Sequence, residues 1–278
     1  FLCLLASYSF AQTKVGGSYD PADSSVIPSK RMPQHTEFLN GTNNFPAKPR
    51  NQWEIGVKGG AFTISGDVSA VFPTVGFGVH VRKAFGYVFS MRLEYMNATG
   101  KGLNWKSSSY LPPAGGGNPW SANGYNSPLY YNNYKAKVQD LSLQGVVTLN
   151  NIRFHKSKTG LNFYGFAGIG GTVYDTKVNV RNGNGTYEAA FQTIPGNVYK
   201  DRKDTRKALK DLLDDSYETP AENHGTTRPK LFGDTFKPSG TVGMGIALKL
   251  SNRINIALED RITFIKDDLL DGQRWAEQ

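Results

Sequence analysis

Charged side chains recur at two-residue intervals in this chain. Glu54 and Lys58, His80 and Arg82, Arg92 and Glu94, Lys249, and Glu259 and Arg261 each occupy one parity of a segment whose other parity is mainly apolar. In an extended strand alternate side chains face opposite sides, so each segment presents its charges on one face. Opposite charges meeting on such a face can do two things: lock strands together as ion pairs, or line a narrow ion path. Catalytic constellations are sparse by comparison. His35, His80, His155 and His224 stand apart, with no HExxH pair to hold zinc. There is no GxSxG elbow, and the glycines between Gly165 and Gly171 are not followed by the GK[ST] of a phosphate loop. No catalytic residue, metal site or cofactor is assigned, and the chain is not read as an enzyme. A Ser/His/Asp triad assembled in space stays open at this level.

The elements that carry the charges are strands. Trp53, Ile55, Val57 and Ala61 alternate with Glu54, Gly56, Lys58 and Gly60. The same period of two runs through 75–82, 87–96, 141–149, 242–250 and 254–264, and less cleanly through 161–173, where Phe163, Tyr164 and Phe166 occupy both parities. These are seven strands of roughly ten residues, about the 9–11 that cross a bilayer when tilted. Trp53, Tyr87, Tyr95 and Phe264 lie near strand ends on the apolar parity, as interfacial aromatics would. Composition agrees: 31 glycines and 12% aromatics in 278 residues suit short strands and tight turns. Mean hydropathy is −0.44, and no apolar run reaches the length of about 18 that a spanning helix needs.

Connections alternate in length. Short ones lie near 84–86, across 150–160 and at 251–252, whereas Thr99–Lys135 and Asp175–Phe236 are very long. In an up-and-down meander alternate connections share an end, so the long loops fall on one side. Outer-membrane barrels have that asymmetry, and compact soluble domains rarely hold two loops of this length. The expected fold is therefore all-β: an up-and-down antiparallel transmembrane β-barrel, with seven strands present of an expected eight and long loops on one side.

The ends read differently. Residues 1–12 look like a residual signal peptide, an apolar run closing on the small-residue junction Ser9-Phe10-Ala11-Gln12; the competing reading is a buried N-terminal strand. Cys3 is filler within that run, which leaves a mature chain without disulfides or thiolate sites. Residues 13–52 are a polar leader, loosely ordered at best, and 53–278 form the barrel, cut before its last strand. Asp260 breaks the apolar parity, and a β-bulge there would turn it inward. Lys200–Tyr217 is the one helical stretch, with Leu209, Leu212 and Leu213 as a small apolar stripe. The formal charge of +9 is spread over strands and loops, apart from a cluster at Lys200–Lys210. It suits a basic loop face towards anionic lipid or polysaccharide rather than nucleic acid.

The signal-like start, the first strand Asn51–Gly60 (NQWEIGVKGG), the stretch Asn162–Gly170 (NFYGFAGIG) and the loop Asp267–Trp275 together resemble the OmpA-like outer-membrane proteins. The resemblance covers most of Trp53 to the end. It implies an eight-stranded barrel with periplasmic termini in the outer membrane of a Gram-negative envelope. It also implies export through a cleaved signal peptide, with outer-membrane lipid and lipopolysaccharide as surroundings. Such proteins often add a C-terminal peptidoglycan-binding domain, and no residue of this chain matches one. The expected function is a structural, envelope-organising or weak pore role. The alternatives are a barrel enzyme that modifies lipid or cleaves protein, and a soluble lipocalin-like ligand-binding barrel. His80, in mid-strand, speaks against the first, and the one-sided long loops against the second.

Overall fold

The computed structural model describes residues 2–10, 21–70, 73–110 less the last, 121, 124–127, 129–152, 161–183, 185–194, 198–221, 229–250 and 254–272. Side chains of 2–10, 109, 151–152 and 249 lie outside that description.

Eight long strands run in chain order: β1 (Leu2–Phe10), β2 (Gln52–Phe62), β3 (Thr74–Ala84), β4 (Phe89–Ser109), β5 (Leu129–Thr148), β6 (Leu161–Val178), β7 (Asp234–Lys249) and β8 (Ile254–Ile265). Each pairs antiparallel with its neighbours in sequence, so the sheet goes up and down. Two further pairings matter. β6 runs against β7 from Leu161↔Leu248 to Tyr174↔Thr235, and β1 lies against β8 from Leu2↔Ile262 to Phe10↔Ile254. Every long strand thus has a hydrogen-bonded neighbour on both sides, and among the described residues no long strand is left as an edge.

Among the described residues the long strands number eight, not seven. The extra one is Leu2–Phe10, expected to be a signal remnant. Its position between β8 and β2 is where a strand following Phe264 was expected. An apolar run of nine residues satisfies its backbone groups by bridging two strand edges, which is the physical reason it pairs there.

The alternation governs which side chains go where. Ile55, Val57, Phe77, Leu93, Leu143 and Ile246 point outward and are exposed, while Lys58, His80, Glu94, Gln144 and Arg261 point inward and are buried. The ambiguous aromatics of β6 resolve the same way: Phe163 faces out, and Tyr164 and Phe166 face in. Gly243 and Gly245 on the inner face of β7 make room for these rings. A Cβ at Gly243 would lie 2.3 Å from Phe166 Cζ, and one at Gly245 2.4 Å from Tyr164 Cζ.

Three other expectations need correction. The described part of Thr99–Lys135 is largely strand: β4 and β5, of 21 and 20 residues, remain paired from Phe89↔Val147 to Ser109↔Leu129, with one register shift between Leu103 and Ser107. Cross-strand pairing of Tyr130, Tyr131 and their neighbours extends the hairpin where composition suggested a loop. The described part of the leader, from residue 21 on, is folded: Asp23 caps a 3-10 turn at Ser24–Val26, α1 spans Met32–Leu39, and Val26, Ile27 and Ala47 bury Tyr87. Tyr87 therefore packs under the leader instead of standing in an outer aromatic belt. Asp260 sits in a β8 whose register is continuous with both neighbours, so no bulge turns it inward.

Two short helices belong to the second long connection, α2 (Glu188–Thr193) and α3 (Arg202–Leu212). The latter is shorter than the expected Lys200–Tyr217, because Leu213 is already extended (φ −75°, ψ 130°), and Asp215 and Tyr217 beyond it adopt left-handed backbone (φ 63° and 46°) that no α-helix continues. Leu209 of α3, Phe191 of α2, and Tyr125, Tyr130, Tyr131 and Tyr187 form one buried cluster. Phe191 is its hub, 5.4 Å from the Tyr131 ring and 5.7 Å from that of Tyr187. The long connections thus fold together as a cap over one end.

Candidate functional site

The inner face gathers a buried charge network. Glu259 of β8 accepts from Lys58 Nζ of β2 at 2.8 Å, Arg92 Nη1 of β4 at 2.5 Å and the Tyr164 hydroxyl of β6 at 2.6 Å. Glu94 accepts from Lys58 Nζ at 2.5 Å and from Arg261 Nη1 at 2.6 Å. Arg261 also donates to Asp140 of β5, which accepts in turn from Thr172 at 2.8 Å and Ser239 at 2.9 Å. Arg92 Nε donates to Gln144 Oε1 at 2.8 Å, and its guanidinium lies 4.4 Å from the Phe166 ring centroid. These bonds join strands on opposite sides of the interior.

Of the nine residues singled out in the sequence, Lys58, Arg92, Glu94, Glu259 and Arg261 meet in this one network. Glu54, His80 and Arg82 form a looser group nearer the short turns, with Glu54 carboxylate oxygens 3.7 Å from His80 Nε2 and 3.9 Å from Arg82 Nη1. The side chain of Lys249 lies outside the described residues. Among those described, four inward cations (Lys58, Arg82, Arg92, Arg261) face four inward carboxylates (Glu54, Glu94, Asp140, Glu259), all buried. Five participants escaped the sequence reading: Asp140, Gln144, Tyr164, Thr172 and Ser239. Asp140 shares the parity of Ser142 and Gln144, so the signal was present. Tyr164 was hidden by the double-sided aromatics of its strand.

Such an arrangement holds charge apart from water. A buried carboxylate with three donors is costly to bury and costlier to leave unpaired. Beside the network lies a cavity of about 20 Å³ lined by Glu54, His80, Arg82, Tyr164, Asn255 and Glu259, among others, about enough for a single water.

Ser24 Oγ lies 2.9 Å from His35 Nε2, the spacing of a nucleophile and its base. His35 Nδ1, however, is buried without a hydrogen-bond partner, so no carboxylate orients the ring, and the pair serves to pin the 3-10 turn to α1. No group of three His, Cys, Asp or Glu side chains capable of holding a metal occurs among the described residues. His155 and His224 lie outside them. The described helices include none long and apolar enough to cross a membrane, which says nothing of spanning by strands. Comparison with protein-family models, with curated proteins and with solved structures finds no match to this chain.

Proposed function

We propose that the chain is an outer-membrane β-barrel of OmpA-like type, with a structural, envelope-organising role and an interior shut by ion pairs. The observation that carries this reading is the inversion of its two faces. The outward face is mainly aliphatic and aromatic, Asp260 on β8 being an exception, with Val75 82%, Ile169 76% and Met244 69% exposed, while Arg92 and Arg261 are among the largest fully buried side chains. A water-soluble protein rarely shows a contiguous apolar surface beyond a few hundred Å². In hydrocarbon the same surface is at home, and a ring of paired strands meets the requirement that every backbone group be bonded internally. Dimensions agree: from Ile254 to Phe264 on β8 there are about ten residue steps, about 34 Å along the strand, or about 25 Å along the normal at a tilt of about 40°. That is the height of a barrel's apolar band.

The aliphatic face points away from the interior, which leaves a lipocalin-like arrangement without its cavity lining. A barrel enzyme would need an oriented catalytic group at the outer rim, and His80 lies instead on the inner face at mid-strand. The decisive test is expression of the protein with any flanking segments its gene encodes, followed by gel migration in detergent before and after heating. The expected result is insolubility without detergent and a faster band that shifts on boiling. A soluble protein of unchanged mobility would overturn the membrane reading.

A further inference from the structure

The outer face of β4, β5 and β6 changes character row by row. Strand pairing sets Leu93, Leu143 and Ile169 in one row, and Tyr95, Leu141 and Gly171 in the next. Above them come Asn97, Gln139 and Val173, then Thr99, Lys137 and Asp175, then Lys101, Lys135 and Lys177. Neighbouring strands lie about 4.8 Å apart, so the last three lysines leave the backbone within about 10 Å of one another. Like charges side by side on a sheet are destabilising unless countered.

The protein counters them only in part. Lys101 donates to Asp215 at 2.6 Å, Asp175 lies 3.8 Å from Lys177, and the ammonium groups of Lys101 and Lys135 stand 5.6 and 5.7 Å from the Tyr217 ring centroid. Four lysines against these two carboxylates leave two positive charges, with Lys137 exposed. Their height is the telling feature. Each row of two residues rises about 5 Å along the normal at a tilt of about 40°. The lysines therefore stand about 5 and 10 Å above Val173, the last apolar residue in these rows, which is the depth of lipid headgroups.

We propose that Lys135, Lys137 and Lys177, beside a Lys101 held by Asp215, bind the phosphate of a lipid headgroup in the surrounding leaflet, whose acyl chains cover Leu141, Leu143 and Ile169 below. Compact ammonium charges suit phosphate oxygens, and the continuity of apolar and basic rows on the same three strands selects a lipid over a free anion. This rests on the membrane reading above.

The test uses the protein inserted into phosphatidylcholine vesicles doped with labelled diphosphoryl lipid A, with insertion followed by gel mobility. The variant K135Q/K137Q/K177Q is expected to insert into pure phosphatidylcholine like the unaltered protein, yet to retain labelled lipid at least about tenfold less well. Raising the salt concentration is expected to shrink that difference. A control variant of α3, K203Q/K207Q/K210Q, keeps full retention. Equal retention by the triple variant overturns the site, and so does displacement of the lipid by inorganic phosphate at matched concentration. Failure of the unaltered protein to insert would instead overturn the membrane reading, before lipid retention is measured.

Discussion

Three donors converge on the Glu259 carboxylate: Lys58, Arg92 and Tyr164. Glu259→Gln keeps its shape and removes its charge, leaving two buried cations short of a partner. Removing one side of a buried pair costs about 3–5 kcal/mol, so urea unfolding of the vesicle-inserted protein at neutral pH should show a loss of that order. A change under about 1 kcal/mol would mean that water or another carboxylate already serves the cations. Tyr164→Phe removes a single bond to a charged acceptor and should cost less, about 1.5–3 kcal/mol. At Gly245 the constraint is space. The Tyr164 ring occupies the position a Cβ would take, so Gly245→Val should prevent formation of the heat-shifted band, and a normal band would show that the ring moves aside freely. Most of this site was legible in the sequence, because a period of two assigns every charge to a face. What periodicity cannot supply is who meets whom: Lys58 and Glu259 are separated by 201 positions, and only the folding of the sheet brings them together.

Between strands, legibility drops. The pairing of β4 with β5 far beyond Lys101 and the packing of Val26, Ile27 and Ala47 on Tyr87 both lie in segments rich in Asn, Ser, Gly and Pro, where composition argues for loops. Their order comes from tertiary contacts. The cap depends on buried tyrosines. Burial raises the pKa of Tyr125, with Glu188 adding to it, and burial likewise raises Tyr187 and Tyr217, the last further through Asp215. A raised folded-state pKa means that the folded cap keeps protons which the unfolded chain gives up. Its contribution to stability is complete below the ordinary tyrosine pKa of about 10 and is lost as pH rises above it. An alkaline absorbance titration should therefore resolve a set of tyrosines that ionise late, and protease sensitivity of the 175–236 connection should rise in the same pH range. Tyrosines all titrating together near pH 10, with no change in cleavage, would show that the cap is not packed as described.

At the scale of the whole molecule, the question is whether a ring of eight strands passes ions. Eight strands enclose little more than their own side chains. Here Lys58, Arg92 and Arg261 bond across the interior to Glu94, Asp140 and Glu259, and a cavity beside Glu54 holds about 20 Å³. An ion entering would have to break pairs held in a medium where each is expensive to separate, and the three-against-three balance of this network offers it no compensating charge. The unaltered protein should accordingly show no steady current in a planar bilayer. Glu94→Gln combined with Glu259→Gln changes the balance. Lys58, Arg92 and Arg261 would then have Asp140 as the remaining nearby carboxylate, and the excess positive charge should draw in water and anions. Brief anion-selective openings are expected from that variant, sparser at high salt where the fixed charges are screened. A steady current in the unaltered protein that the double substitution leaves unchanged would place the ion path somewhere other than through this network, and the interior would have to be read as a lock for the strands alone.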